Sequence, residues 1–249
     1  MWHSSVVQAG LWGWLAASSL LVGAIIGFWV NLPKKVLASV MAYGSGVLIA
    51  ALCFEQIPQA QRLGGVWPTL GGLLAGGVAF VLANSGLDLL ERQHRRKAAG
   101  LAKSGSMLGL LIAAGAFLDG IPESLGLGLG LLDGGKVSLV MFTAIALANL
   151  PEGLASAAGL RAEGHAAGYV LGLWGCIVLL SGLAAMAGPG LFAGLAPGYV
   201  AFALGFSAGA VLCMLVDTLM PEAFAQTHAL TGLITLAGFG TAFALGHLA

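Results

Sequence analysis

Residues 136–160 read KVSLVMFTAIALANLPEGLASAAGL, and the length and composition of this stretch indicate the class of fold. Its charged residues are Lys136 at the start and Glu152 in the interior, and the rest of the stretch is apolar or uncharged. A helix needs about 20 mostly apolar residues to cross the hydrocarbon core of a bilayer. We therefore predict that this stretch is a transmembrane helix and that the carboxyl of Glu152 lies inside the membrane.

The rest of the chain has the same character. It is 59% hydrophobic and 8% charged, with a mean hydropathy of +0.97, whereas an ordinary soluble domain has about 25% charged residues. So few charges cannot cover a water-soluble surface. We predict an all-α integral membrane protein, a single transmembrane domain over residues 1–249 with eight helices at 6–30, 36–58, 66–90, 106–132, 136–160, 168–190, 198–222 and 229–248.

The basic residues predict the orientation of these helices. Eight of the ten Lys and Arg residues fall in the first, third and fifth connections, and only Arg62 and Lys136 fall in the second and fourth. Cytoplasmic connections carry an excess of Lys and Arg. The charged loop at 91–105 is therefore predicted to be cytoplasmic and both termini extracytoplasmic, in a multi-pass protein of a bacterial-type inner (plasma) membrane.

Charge and motifs exclude other functions. The net charge is zero, so the chain lacks the basic surface that binds nucleic acid. We expect the lipid bilayer as a partner and no nucleic acid. It has no GxxxxGK[ST] motif, so ATP-driven coupling within the chain is not expected. Glycine-rich apolar runs such as 71–77 are typical of close helix packing. That packing could serve the monomer or a homodimer, and the sequence leaves both open.

The acidic residues are distributed differently from the basic ones. A carboxylate near the bilayer centre costs about 2.5 to 3.5 kcal/mol, and such a group must be protonated, face water or be neutralised by a cation. A cation pathway explains several of them at once. One or two acids could instead cap a helix or lie at the interface. The acids within or at the ends of predicted helices are Glu55, Asp119, Glu123, Glu152, Asp217 and Glu222.

Spacing places four polar residues on common helix faces. Asp119 and Glu123 are four residues apart, and Asn149 and Glu152 are three apart on the next helix, so each pair shares one face. A proline precedes each glutamate and frees a backbone carbonyl about four residues earlier, near Leu118 and Leu147. Irregular helices with carboxylates and free carbonyls build ion sites inside membranes. We predict that Asp119, Glu123, Asn149 and Glu152 bind one metal cation.

The proline element recurs along the chain. Its four copies lie on predicted helices 2, 4, 5 and 7, at residues 57–60, 121–124, 150–153 and 220–223. Helices 2 and 7 also carry an acid three or four residues before the proline, Glu55 and Asp217. This symmetric placement predicts a 3+2+3 arrangement, in which the outer triplets of helices are pseudo-inverted repeats.

These motifs resemble the ZIP (Zrt/Irt-like) family of divalent metal-ion transporters, over essentially the full length. The stretch 149–153 (NLPEG) is similar to the Asn/Asp-x-Pro-Glu-Gly core of that family, 216–223 (VDTLMPEA) to its helix 7, and 180–184 (LSGLA) to its helix 6. The resemblance implies transport of cations of the zinc, iron or manganese class through a site between helices 4 and 5.

The resemblance also shows substitutions at ligand positions. Asp119 stands where the family has a histidine, while Asn149, Glu123 and Glu152 keep ligand positions. The other three positions have lost their polar ligand: Gly120, Ala148 and Ala185. The remaining set is rich in oxygen, which favours Mg, Ca, Mn or Fe(II) over Zn relative to a histidine site. The resemblance implies a divalent metal ion as the transported substrate, and we expect it to be Zn, Fe(II), Mn or Cd.

We expect passive or secondary transport of a divalent cation towards the cytoplasm, with Glu55, Asp217 and Glu222 flanking the route. One alternative is a proton- or sodium-coupled carrier of another substrate, whose acids titrate instead of binding metal. A second is an intramembrane metal-dependent enzyme, and a third is a family member that binds ions without moving them. The predicted helices contain no HExxH motif and no Ser-His or Cys-His arrangement, so an enzyme is not expected.

Overall fold

A computed structural model of the chain describes residues 2–98, 105–133 and 136–248. In these ranges the regular structure is entirely helical, which confirms the all-α prediction. Two π-helical turns join α2 to α3 and α8 to α9, and a 3-10 turn, His228–Leu230, precedes α10. The α-helices are α1 (Trp2–Trp29), α2 (Lys34–Ala51), α3 (Ile57–Gly64), α4 (Val66–Ala98), α5 (Gly105–Gly130), α6 (Leu139–Ala162), α7 (Ala167–Phe192), α8 (Pro197–Met214), α9 (Met220–Thr227) and α10 (Thr231–Leu248).

Six helical segments in the described ranges are long and apolar enough to cross a membrane. Two of them combine several helices, because α2 and α3 form one continuous segment and α8, α9 and most of α10 form another. The six segments are Ser5–Trp29, Lys34–Gly64, Val66–Leu90, Leu139–Ala162, Ala167–Phe192 and Pro197–Gly246.

Helix ends follow the predicted breaks, with one correction. The backbone leaves the helical conformation at residues 30–33, and Gly65 and Gly164 take φ angles of 87° and 89° that favour glycine. The predicted loop at 91–105 is wrong for its first part, because α4 continues to Ala98. Glu, Arg, Gln and Lys in this stretch are good helix formers, so the helix continues beyond its apolar residues. Residues 99–104 of the predicted loop, and the predicted break at 134–135, lie outside the described residues.

The two π turns occupy equivalent places in the chain. Each directly precedes a short helix with proline at its start, Pro58 in α3 and Pro221 in α9. Proline removes one backbone hydrogen-bond donor, and a wider turn accommodates the loss. Glu55 lies in the first turn, Leu52–Gln56, and Asp217 lies in the second, Leu215–Leu219. The sequence repeat on predicted helices 2 and 7 is thus also a repeat of backbone structure.

The helices pack as two groups. In the first group, α1 packs on α6 and α7, and α5 packs on α7. In the second, α4 and α3 pack on α8, and α2 packs on α10. The groups meet where α2 contacts α6 and α8 contacts α5. Buried side chains such as Leu48, Ile145 and Leu215 fill the first of these contacts.

Glycine allows α4 and α8 to approach closely. A Cβ atom on Gly76 would overlap the carbonyl oxygen of Phe206, and one on Gly209 would overlap that of Leu73. These obstacles are backbone atoms, which cannot rotate away as a side chain can. The close contact therefore requires glycine on both helices.

Gly76→Ala should consequently destabilise the bundle. We expect a loss of roughly 1 to 3 kcal/mol, the usual range for overpacking a tight contact, seen as a lower thermal midpoint in detergent. Gly86→Ala is the matched control on the same helix, because a Cβ there would meet no atom within 4 Å. Equal midpoints for the two variants would contradict the close-packing interpretation.

Candidate functional site

Four acidic side chains from four helical segments line one cavity of about 390 Å³. We name it the carboxyl cavity. Asp119 of α5 and Glu152 of α6 reach it, together with two acids from the second helix group, Asp88 of α4 and Glu222 of α9. Asn84 and Thr218 add neutral polar groups. A cavity with this lining is suited to cations and not to anions.

Glu123 lies deeper than these acids. It is only 2% exposed, and its Oε2 atom is buried without a hydrogen-bond partner. The carboxyl of Glu123 interacts electrostatically with that of Asp119. The carboxyl of Glu152 interacts with those of Asp119, Glu123 and Glu222. Asp119 and Glu152 thus line the carboxyl cavity, whereas Glu123, the third acid predicted on α5 and α6, does not.

These acids do not form a closed ligand shell. In the described ranges, no three His, Cys, Asp or Glu side chains lie close enough to hold one metal ion together. A divalent cation in the carboxyl cavity would therefore keep part of its hydration shell, as hard cations commonly do when few protein oxygens bind them.

Two further predicted features of α6 lie outside the lining of the carboxyl cavity. Asn149 is buried at 4% exposure and is not among the residues that line the carboxyl cavity. The carbonyl oxygen of Leu147, predicted to be freed by Pro151, lies against α2, since a Cβ on Gly44 would be 3.1 Å from it. Of the four predicted ligands, Asp119 and Glu152 line the carboxyl cavity, and Glu123 and Asn149 do not.

Ala148 and Ala185, which stand where the resemblance implies a polar ligand, take part in helix packing. Ala148 is 2% exposed and Ala185 is completely buried. A Cβ atom on Gly13 of α1 would come within 2.5 Å of the Ala185 Cβ, and one on Gly128 of α5 would overlap the Ala185 carbonyl oxygen. A longer polar side chain at position 185 would have to displace these neighbouring helices.

A second polar cavity of about 290 Å³ lies where α5 ends and α6 begins. We name it the glutamine cavity. The Glu55 carboxylate accepts a hydrogen bond from the Ser138 hydroxyl, whose oxygen also caps α6 by accepting from the Met141 N–H at 2.9 Å. Arg62 pairs with Asp133 at 3.5 Å. The polar residues lining this cavity are Glu55, Gln56, Gln59, Arg62, Asp133, Lys136 and Ser138.

Glu222 and Asp217, the other residues predicted to flank the route, differ in the cavities that they line. Glu222 is exposed, and it lines both the carboxyl cavity and an adjoining cavity of about 520 Å³ that extends to the end of α1 and the start of α2. Asp217 is also exposed, but it lines neither the carboxyl nor the glutamine cavity. The structure therefore connects Glu222, and not Asp217, to the central acids.

Asn84 and Asp88 were not predicted as site residues. Both line the carboxyl cavity from α4. Their four-residue spacing within predicted helix 3 places them on one helix face, and this signal could have identified them. Asp88 lies close to the charged stretch after residue 90, which made it resemble an ordinary residue at a helix end.

These observations point to a membrane protein. The chain has multiple apolar helices of membrane-spanning length and a carboxyl-lined cavity between two helix groups. Over 225 residues it is 26% identical to an Arabidopsis thaliana protein named "putative zinc transporter". The alignment covers 89% of the chain and 35% of that relative, so the chain spans about a third of the relative's length. No protein-family model matches the chain. The apolar helices and this similarity together indicate a multi-pass integral membrane protein.

Proposed function

We propose that the protein transports divalent metal cations across a membrane, through the acids at the α5–α6 contact. The membrane-like helices and the similarity to a named zinc transporter support metal-ion transport in general. The observation that carries the specific proposal is the environment of Glu123. Its buried, unpartnered carboxyl oxygen lies in a group of carboxyls that repel one another when ionised. A bound cation would relieve this repulsion.

The proposal includes the arrangement in the membrane. The segment Lys34–Gly64 would be one span, and α8 with α9 would be another. With α5 and α10 as separate spans, residues 1–249 would form a single domain of eight spans. The paired π turns support the 3+2+3 arrangement with pseudo-inverted repeats. The distribution of Lys and Arg supports extracytoplasmic termini in a bacterial-type inner membrane.

In this orientation the two cavities lie on opposite sides of the central acids. The glutamine cavity would face outside and receive the hydrated ion near Glu55. The carboxyl cavity, widened by the adjoining cavity at Glu222, would lead to the cytoplasm. Glu123 lies on α5 between Asp119, which lines the carboxyl cavity, and Gly126, which lines the glutamine cavity. Access would alternate as one helix group moves against the other.

The transported ion would exchange its water ligands for protein oxygens step by step. A transported ion must bind tightly enough to shed water, yet weakly enough to leave. Asp119, Glu123 and Glu152 would supply charge at the buried point, with Asn149 as a further oxygen ligand when the helices move. Asp88 and Glu222 would take over on the cytoplasmic side. The absence of a closed ligand shell in the described residues fits such weak, successive binding.

The proposed substrates are zinc, Fe(II), Mn and Cd. The name of the Arabidopsis relative favours zinc, and the oxygen-rich lining favours Mn and Fe(II). We also propose that glycines on the open face of α7, such as Gly168 and Gly172, permit a homodimer, because a Cβ at either position would meet no atom within 4 Å. Crosslinking through α7 in membranes would detect this homodimer.

The test is uptake into proteoliposomes that enclose a metal-sensitive dye. We expect saturable uptake of at least one of Zn, Fe(II), Mn and Cd without a proton or sodium gradient. A flux of protons or sodium that no divalent metal alters would favour the coupled carrier instead. Metal binding to the purified protein without any uptake would favour a protein that only binds metal.

A further inference from the structure

Gln56 is a buried polar residue that does not belong to the cluster of acids. It ends the π turn Leu52–Gln56, is only 3% exposed, and contributes to the wall of the glutamine cavity. The described residues contain three buried side-chain polar atoms without a hydrogen-bond partner, and two of them are oxygens. These two oxygens are Oε1 of Gln56 and Oε2 of Glu123.

Hydrogen bonds fix the orientation of the Gln56 amide. Its Nε2 donates to the carbonyl oxygen of Leu204 at 3.0 Å and to the hydroxyl oxygen of Ser207 at 2.9 Å. Ser207 in turn donates its proton to the carbonyl oxygen of Pro122 at 2.5 Å. A carbonyl oxygen can only accept, so the amide cannot be flipped without losing the bond to Leu204. Both donor positions are thus used, and Oε1 is left without a donor.

The amide lies beside the segment of α5 that carries Glu123. A Cβ on Gly126 would be 2.8 Å from Nε2 of Gln56 and 2.5 Å from the Ser207 hydroxyl, so only glycine leaves room for this contact. Pro122, whose carbonyl accepts from Ser207, directly precedes Glu123. Glu55, the neighbour of Gln56, lines the glutamine cavity. Gln56 therefore lines that cavity and packs against the turn of α5 that follows Glu123.

We propose that Oε1 of Gln56 is a ligand for the transported cation between the glutamine cavity and Glu123. This inference rests on the proposed transport function. An amide oxygen is a hard but neutral ligand, so it can replace one water molecule of a divalent ion without holding the ion as a carboxylate would. The bonds to Leu204 and Ser207 hold the oxygen in position before the ion arrives, which reduces the ordering needed for binding. A ligand of this kind also discriminates between hard and soft ions.

The test compares Mn and Cd uptake by Gln56→Met in proteoliposomes. A thioether is a soft ligand that suits Cd better than Mn. We expect Mn uptake to fall by about tenfold while Cd uptake is largely kept, so that the Cd-to-Mn uptake ratio rises several-fold. Gln61→Met is the matched control, because Gln61 is exposed on α3 and is not among the residues that line the glutamine cavity. Its ratio should equal that of the unmodified protein.

A structural role for Gln56 predicts a different result. If the amide only ties the π turn to α8 and α5, Gln56→Met lowers Mn and Cd uptake by the same factor, and the unchanged ratio overturns the proposal. Should that variant fail to fold, Gln56→Glu decides. A carboxylate ligand should lower the KM for Mn several-fold and slow turnover, whereas an unchanged KM overturns the proposal. Absence of divalent uptake by the unmodified protein would instead remove the transport function itself.

Discussion

Glu123→Gln is expected to reduce divalent-metal uptake by about 10- to 100-fold, the scale for losing a charged ligand at a buried site. The substitution keeps the size and shape of the side chain but removes its negative charge. Because Glu123 is 2% exposed, water cannot easily replace the lost oxygen ligand. A divalent ion at this position would then be neutralised less completely as it sheds its hydration shell.

The same variant should be at least as stable as the unmodified protein without metal. The carboxyl of Glu123 interacts with those of Asp119 and Glu152, and an amide removes its share of their repulsion. We therefore expect an equal or higher thermal midpoint in a chelating buffer, together with the loss of uptake. Glu163→Gln is the matched control, since Glu163 lies in the turn after α6 and outside both cavities. Equal uptake by Glu123→Gln and the control would contradict the assigned role.

Asp119→His is expected to change which metal is transported. Imidazole nitrogen binds zinc well and binds Mn less well than a carboxylate does. Asp119 lines a cavity of about 390 Å³, which has room for the larger ring. The Zn-to-Mn uptake ratio should therefore rise by about tenfold.

Asp119→Asn separates ligand chemistry from a general loss of charge. The amide lacks both the charge and the imidazole nitrogen, so uptake of all four metals should fall together with no gain for zinc. If Asp119→His and Asp119→Asn gave the same Zn-to-Mn ratio, Asp119 would not contact the transported ion.

The sequence predicted the helices well because membrane-spanning length is a property of local composition. Residues 66–90 were expected to be helical from their apolar run, and α4 includes all of them. The membrane-spanning segment ends at Leu90 as predicted, but the helix itself continues to Ala98, because hydropathy indicates where the apolar stretch ends and not where backbone hydrogen bonding ends. The π turn at Leu52–Gln56 was not predicted either, since proline at position 58 marks a disturbance without specifying its form.

The candidate site was predictable within single helices and not between them. Four-residue spacing placed Asp119 and Glu123 on one face of a helix, and both residues lie within α5 in the structure. The approach of Asp88 and Glu222 depends on how α4 packs on α5 and how α9 packs on α2, which no local pattern encodes. The orientation of Gln56 likewise depends on the carbonyl of Leu204, far away in sequence.

Anomalous X-ray scattering from crystals grown with Mn or Cd would show whether a cation binds at the buried carboxyls. We expect an anomalous peak at the α5–α6 contact, within ligand distance of at least two of the carboxyls of Asp119, Glu123 and Glu152, and we expect it to disappear in Glu123→Gln. Peaks confined to surface residues at saturating metal, with the buried carboxyls free of metal, would contradict it.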